Sequence, residues 1–361
     1  MLRPSVKTPQ PSNLSMIKPM NVRVRPTEDR FWRRPVFAGT ILGIVSAVGY
    51  TAATIFLRSV VHCDPAWVSC IKATTTAVLL TPWLLCGPIS RFPSGTGLAT
   101  LIAAGLFGQL GGNVLFQWSL GILGMSLTVP LCLGSIILCS VLLGRSILSE
   151  SVNVRTVLSM AMLVAAIWSL SWGVGSPTPT PERGASQLVS PRLAEELANS
   201  QTEAGRQQNQ SAFVLTAAVL SACIAGLAYA VLGVAIRRCV IADATVVGTT
   251  WTIATVGVVS LLALSQRRLG WAGMLATSAA DLQIMLLAGV CNLVAFVSLA
   301  RALQLTTLVY VNGLNASQVV MAAIAGLYLF GEPASAALFV GVALTVGGLL
   351  IMPRPGSSGS R

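Results

Sequence analysis

Long apolar stretches alternate with short polar stretches along most of the chain. Because roughly 20 residues of helix cross a bilayer core about 30 Å thick, each apolar stretch predicts one membrane-spanning helix. The ten stretches lie at about Val36–Leu57, Ala66–Cys86, Gly97–Leu120, Ile122–Leu143, Val154–Val174, Ser211–Ile236, Ala244–Leu264, Leu282–Leu303, Thr306–Phe330 and Ala334–Met352. The pattern therefore predicts an all-α membrane protein with ten transmembrane helices.

A polar segment divides these helices into two groups of five. Residues 175–210 are rich in Pro, Ser, Thr, Gln and Glu, a composition that predicts a disordered linker. The predicted domains are a basic cytoplasmic tail (1–35), a first five-helix repeat (36–174), the linker, a second five-helix repeat (211–352) and a short cytoplasmic tail (353–361).

The two groups of five share polar residues at equivalent positions. Three pairs recur with one common spacing: Tyr50 with Tyr229, Arg58 with Arg237, and Asp64 with Asp243. Chance similarity between two apolar sequences is the alternative explanation. Because five is an odd number, the second group would cross the membrane upside down relative to the first. The sequence thus predicts two inverted repeats, an arrangement that secondary transporters use.

Composition agrees with burial in lipid. Apolar residues make up 54% of the 361 positions and charged residues 9%, against roughly 25% charged residues in soluble domains. The net charge of +12 does not form one patch, since eight of the 23 basic residues precede residue 35 and most others lie between apolar stretches. This distribution is typical of membrane proteins, so the bilayer and not nucleic acid is the expected partner.

The distribution of basic residues also predicts the orientation. With the N-terminus in the cytoplasm, most Lys and Arg residues fall on the cytoplasmic side, so both termini are expected there, in a multi-pass protein of the cell (inner) membrane. The first 30 residues lack the apolar core of a signal peptide. A transit peptide and a misassigned start, with Met16 or Met20 as the true first residue, are alternatives for this tail.

Polar side chains inside the predicted helices suggest a binding site. Lys72 lies in the second helix, where a central charge costs at least about 2.5–3.5 kcal/mol, and is predicted to attract an anionic or carboxylate-bearing solute. Snorkelling to the outer headgroups, or hydrogen bonding to backbone carbonyl groups, is the alternative. Tyr50 and Tyr229 are further candidates, with a place in an interfacial aromatic belt or simple packing as their alternatives. The amide candidates are Gln109, Asn113 and Gln117 on the third helix, Asn292 on the eighth, and Asn312, Asn315 and Gln318 on the ninth.

The amides are uncharged donors and acceptors, so they suit a neutral or zwitterionic solute. Their alternative role is hydrogen bonding between helices. No Asp or Glu lies in the middle of a predicted helix, which favours a facilitator, an exchanger or coupling through an acid at a helix end.

Residues for catalysis or metal binding are scarce. His62 is the only histidine, and none of the eight cysteines forms a Cys-x-x-Cys pair. We therefore expect no catalytic residue, no metal site and no cofactor. A nucleotide-binding Gly-x-x-x-x-Gly-Lys-Ser/Thr loop is missing from the sequence, so ATP-driven pumping by this chain is not expected.

The last part of the chain carries a recognisable motif. Tyr-Leu-Phe-Gly-Glu at positions 328–332 precedes a Gly-rich final helix, and Leu148–Glu150 keeps part of this turn in the first repeat. The motif resembles the closing turn of EamA-type members of the drug/metabolite transporter superfamily. The resemblance implies ten helices in two halves around a cavity lined by the third, fourth, eighth and ninth helices. The proline common near the start of the family's fourth and ninth helices is replaced by Gly134-Ser135 and Ala316-Ser317.

Together these features predict a secondary transporter that moves a small metabolite or drug-like solute by alternating access. A non-transporting membrane scaffold or sensor is the alternative. Glu150 and Glu332 are interpreted as turn and capping residues. The sequence leaves the solute and a homodimeric state open.

Overall fold

The computed structural model describes residues 33–86, 95–148, 154–172, 191–242, 244–332 and 336–351. All regular secondary structure within these ranges is helical. The helices are α1 (Arg33–Ser59), α2 (Pro65–Cys86), α3 (Gly95–Leu123), α4 (Met125–Leu148), α5 (Val154–Trp172), α6 (Pro191–Ile241), α7 (Val246–Leu275), α8 (Ala279–Leu305), α9 (Leu308–Phe330) and α10 (Ala336–Ile351). The tails before Arg33 and after Ile351, and the turn residue Glu150, lie outside the described residues.

Eight of these helices are long and apolar enough to cross a bilayer. The two others, α5 and α10, carry shorter apolar stretches at Val157–Ala166 and Leu338–Gly348. The described part of the chain is therefore an all-helical multi-pass membrane protein with eight candidate spans, where the sequence predicted ten.

Two helix boundaries differ from the prediction because glycine changes the backbone direction. Helices α3 and α4 are separated at Gly124 (φ 77°), a few residues after the predicted boundary. Helix α7 does not end near Leu264 but continues to Leu275, with a kink at Gly270 (φ 67°). Positive φ values cost glycine little and other residues more, so neither turn could be located from hydropathy alone.

Helix α6 also extends beyond its predicted start. It begins at Pro191, so that residues 191–210, assigned above to the polar linker, are helical. The Ala, Glu, Gln and Leu residues of this segment have high helix propensity. Residues 173–190 lie outside the described part of the chain.

The main helix pairs join the first half of the chain (α1–α5) to the second half (α6–α10). Helix α1 packs on α8, α2 on α7, α4 on α6 and α9, and α5 on α10, while α3 packs on α6 and α7. Each half therefore completes the core of the other. The helices of both halves meet at the centre of the bundle, and this arrangement leaves room there for a cavity.

Close contact between α4 and α6 depends on Gly226. A Cβ atom at this position would overlap the carbonyl oxygen of Cys132 and lie 2.6 Å from the Cβ atom of Ser135. Small residues allow this kind of approach between membrane helices.

We expect Gly226→Ala to push α4 and α6 apart and to destabilise the protein by about 1–3 kcal/mol, the usual cost of overpacking. Thermal unfolding in detergent measures the effect. Gly97→Ala is the matched control, because a Cβ atom at Gly97 meets nothing within 4 Å. Equal melting temperatures for the two variants would contradict the prediction.

Candidate functional site

A cavity of about 150 Å³ lies between the two halves. Its walls come from α1–α4 and α6–α9, which are the eight helices long enough to span the bilayer. Much of the wall is apolar, with Phe116 and Phe296 among the larger side chains. Pockets of this kind, mostly apolar with a few convergent polar groups, are typical of small-molecule sites.

Asn113 is the centre of a polar cluster on one wall of this cavity. Its Oδ1 atom accepts hydrogen bonds from Lys72 Nζ at 2.6 Å and from Tyr229 OH at 2.8 Å. Its Nδ2 atom donates to Gln109 Oε1 at 2.5 Å. Among the described lining residues Lys72 alone carries a charge, and its side chain is buried. The cluster joins α2, α3 and α6 and presents one cation to the cavity.

The part of α3 that carries these amides is not an ordinary α-helix. Residues Gly108–Val114 form a π-helical segment between the α-helical parts Gly95–Phe107 and Leu115–Leu123. Within it, Gly112 leaves room for the Tyr229 ring, since a Cβ atom there would lie 2.7 Å from Tyr229 Cε1. π-Helical turns occur frequently at functional sites. The segment brings Gln109 and Asn113 into contact and lets Tyr229 reach Asn113.

A second polar cluster lies on α9. Asn315 Oδ1 accepts hydrogen bonds from Ser46 Oγ at 3.2 Å and from Gln318 Nε2 at 3.1 Å, and Asn312 Nδ2 donates to Ser140 Oγ at 2.7 Å. Ala316 and Ser317 form a tight turn between the parts Leu308–Asn315 and Gln318–Phe330 of this helix, and both keep right-handed helical dihedral angles.

Nine of the ten candidate residues proposed from the sequence line this one cavity: Tyr50, Lys72, Gln109, Asn113, Tyr229, Asn292, Asn312, Asn315 and Gln318. Gln117 does not. Its Nε2 atom donates to the carbonyl oxygen of Leu57 at 3.0 Å and so ties α3 to the last turn of α1. Carbonyl groups in the last turn of a helix lack a full set of intrahelical partners, which is why an amide is useful there.

Threonine residues of the cavity wall were missed by the sequence analysis. Thr54 and Thr76 line the cavity, and each hydroxyl donates to a carbonyl oxygen four residues earlier, on Tyr50 and Lys72 respectively. Such bonds to the own helix are common for Thr in apolar helices. No sequence signal therefore distinguishes a threonine that faces a cavity from one that faces lipid.

Glu332 connects the two halves at one end of the bundle. Its carboxylate accepts hydrogen bonds from the backbone N–H groups of Met125 at 2.7 Å and Ser126 at 2.8 Å, and also from the Ser126 hydroxyl. Arg58 Nε lies 3.4 Å from Glu332 Oε1. Glu332 is thus a capping residue, as interpreted above, but the helix that it caps is α4 of the other half. We call this arrangement the Glu332 clasp.

Other polar contacts join the halves at the same end, which we call the Glu332 end. Arg268 Nε lies 2.7 Å from Asp64 Oδ2, and Trp67 Nε1 donates to Thr277 Oγ1 at 2.9 Å. The other oxygen of Asp64 accepts from the first N–H groups of α2. The described loops at this end are therefore held together across the two halves.

Comparison with known proteins identifies the second half of the chain. The model of the EamA-like transporter family matches residues 216–353. The chain is similar to that family over this segment. The match includes the motif at positions 328–332 and confirms the resemblance to the drug/metabolite transporter superfamily. No curated protein sequence matches the chain significantly.

Solved structures with the same fold exist. Twenty-four chains match significantly, and one of them is a crystal structure that aligns with a TM-score of 0.60 at 14% sequence identity. The alignment covers 87% of this chain and 96% of the other. At this identity the similarity concerns the fold, and it extends over both halves of the chain.

Proposed function

We propose that this EamA-like protein is a secondary transporter that carries a small solute across the membrane by alternating access. The observation that carries the proposal is the central cavity, which all eight candidate spans line and into which the cluster of Lys72, Asn113 and Tyr229 faces. A cavity at the interface of two halves can be exposed to each side in turn when the halves rock against each other.

Ten spans in two inverted repeats are part of the proposal. The pairing of helices supports it, because exchanging the halves converts the pair α1–α8 into α6–α3 and leaves α2–α7, α4–α9 and α5–α10 unchanged. The equivalent arginines support it too. Arg58 donates to the carbonyl oxygen of Leu120 at 3.0 Å, and Arg237 donates to that of Leu303 at 2.6 Å. Each arginine thus binds near the end of the third helix of its own half.

The cavity favours a small carboxylate-bearing solute that also offers neutral hydrogen-bonding groups. Lys72 Nζ already contacts an amide oxygen in the cluster, and a carboxylate can take that position with a stronger, charge-assisted bond. The amides of α8 and α9 supply donors and acceptors for the rest of the molecule. Among the described residues that line the cavity there is no Asp or Glu, which supports facilitated transport or exchange over a proton relay inside the cavity.

We place both termini in the cytoplasm and the protein in the cell (inner) membrane. The basic residues of the first 34 positions support this orientation. Labelling of single cysteines introduced in residues 175–190 tests it, since our orientation puts that segment outside. Labelling only from the cytoplasmic side would reverse the assignment.

A substitution that fills the cavity distinguishes the transporter hypothesis from the scaffold hypothesis. Ala73 lines the cavity, so Ala73→Phe is expected to occupy it and to reduce solute flux in proteoliposomes at least about tenfold, since the solute would lose its space. The matched control is Ala103→Phe, on the exposed face of α3. Normal flux for a correctly folded Ala73→Phe protein would contradict the proposal and favour the scaffold.

The solute can be found by thermal-shift screening of purified protein. A ligand that binds only the folded form raises its stability by RT ln(1 + [L]/Kd), about 2.7 kcal/mol at 100 times the Kd. We expect hits among small carboxylates and zwitterions, and a smaller shift for each hit in Asn113→Leu.

A further inference from the structure

A group of metal-ligating side chains lies at the Glu332 end, away from the cavity. His62 and Cys63 belong to the turn between α1 and α2, and Asp281 belongs to the first turn of α8. One ligand atom from each of the three residues lies within 4.8 Å of the other two, and His62 Nε2 is 3.2 Å from Asp281 Oδ1. The sequence predicted no metal site because it contains one histidine and no Cys-x-x-Cys pair.

We propose that His62, Cys63 and Asp281 bind a divalent transition-metal ion of the zinc class. Imidazole nitrogen, thiolate sulfur and carboxylate oxygen are the ligands that zinc uses, and three protein ligands leave one position for water. Calcium and magnesium prefer sites made only of oxygen ligands, so they fit this set poorly.

The surroundings hold two of the three ligands in place. The Ser278 hydroxyl donates to Asp281 Oδ2 at 2.7 Å, which leaves Oδ1 directed at His62. The backbone N–H of Cys63 donates to the Val60 carbonyl oxygen at 3.1 Å and fixes the turn. A hydrogen bond to a ligating carboxylate, such as the one from Ser278, orients that ligand and raises metal affinity.

His62, the third ligand, is the side chain that must move to bring the three ligand atoms to zinc-binding distances. Ligand atoms around a tetrahedral zinc ion lie about 3.5 Å apart, given bond lengths of roughly 2.0–2.3 Å. The separations here reach 4.8 Å at most, and the side chain of His62 is 61% exposed. A change of its side-chain rotamer can therefore close the site without moving the helices.

Cobalt provides a direct test, because a Co²⁺ ion bound to a thiolate has a sulfur-to-cobalt charge-transfer band. Co²⁺ titration of the full-length protein in detergent is expected to produce this band. Cys63→Ser should remove the band, and Asp281→Asn should weaken Co²⁺ binding at least about tenfold. Cys86→Ser is the matched control, since Cys86 is exposed elsewhere on the chain and its loss should leave the band intact. A band that survives Cys63→Ser, or no band in folded wild-type protein, would overturn the site.

A second experiment concerns regulation and rests on the proposed transport function. An ion at this site would join a loop of the first half to a helix of the second, so Zn²⁺ is expected to inhibit solute flux in wild-type proteoliposomes but not in Cys63→Ser. Co²⁺ binding without inhibition by Zn²⁺ would overturn the regulatory role and leave the site standing. Because Co²⁺ binding requires no transport, failure of the site and failure of the transport function give different results.

Discussion

Replacing Lys72 with Met is expected to remove most uptake of carboxylate-bearing solutes while leaving the fold intact. Charged hydrogen bonds contribute about 1.5–3 kcal/mol, so losing this one should weaken apparent affinity by roughly 10- to 150-fold. The reason is specific to the cavity, where Lys72 supplies the one charge among the described lining residues.

Although Lys72→Met should lower solute uptake, it should not lower the stability of the protein. A buried ammonium group is costly in an apolar surrounding, so its removal is expected to keep or raise the melting temperature in detergent. Lys72→Arg is the control that retains the charge. Flux assays in proteoliposomes with carboxylates and their neutral amide analogues measure the effect. Equal loss for both kinds of solute, or undiminished carboxylate flux, would show that Lys72 does not recognise a negative charge.

Glu332→Ala is expected to produce the largest loss of stability. Glu332 is nearly buried, and its removal leaves Arg58 and the first N–H groups of α4 without their shared partner. Removing one member of a buried ion pair usually costs about 3–5 kcal/mol. Glu332→Gln keeps an oxygen acceptor for α4 but loses the charge, so we expect an intermediate effect.

A double-mutant cycle with Arg58→Met tests whether the Glu332 clasp acts as a unit. Melting temperatures of both single variants and the double variant give the coupling, which should be about 1 kcal/mol or more for groups in contact. If the stability changes of the two single variants add in the double variant, the coupling energy between Arg58 and Glu332 is zero and the clasp does not act as a unit. Ser126→Ala is a milder companion variant, because both backbone bonds to Glu332 remain.

The sequence predicted the approximate positions of the helices and most of the polar residues that line the cavity, and the physical reasons are local. A helix must satisfy its own backbone in lipid, so apolar length locates it. Polar side chains inside such helices avoid lipid, which is why Asn113 and Asn315, on different helices, both face the centre.

The features that the sequence did not reveal depend on distant partners or on small backbone adjustments. The π-helical segment at Gly108–Val114 is a local change in backbone hydrogen bonding, and hydropathy does not report it. Gln117 was placed in the cavity by its spacing, but a carbonyl group on α1 binds it instead. Glu332 was identified as a cap, yet the helix that it caps could be found only in three dimensions.

The interlocking of α1–α5 with α6–α10 has a consequence for how the protein is made. While the ribosome is still synthesising α6–α10, the helices already inserted lack their principal neighbours, α8 for α1 and α10 for α5. Final assembly must therefore wait until the last helix enters the bilayer, and contacts between residues far apart in sequence slow such a step. During this interval the early helices are exposed to mispairing and to quality-control proteases, so the rate of synthesis and insertion becomes a determinant of yield.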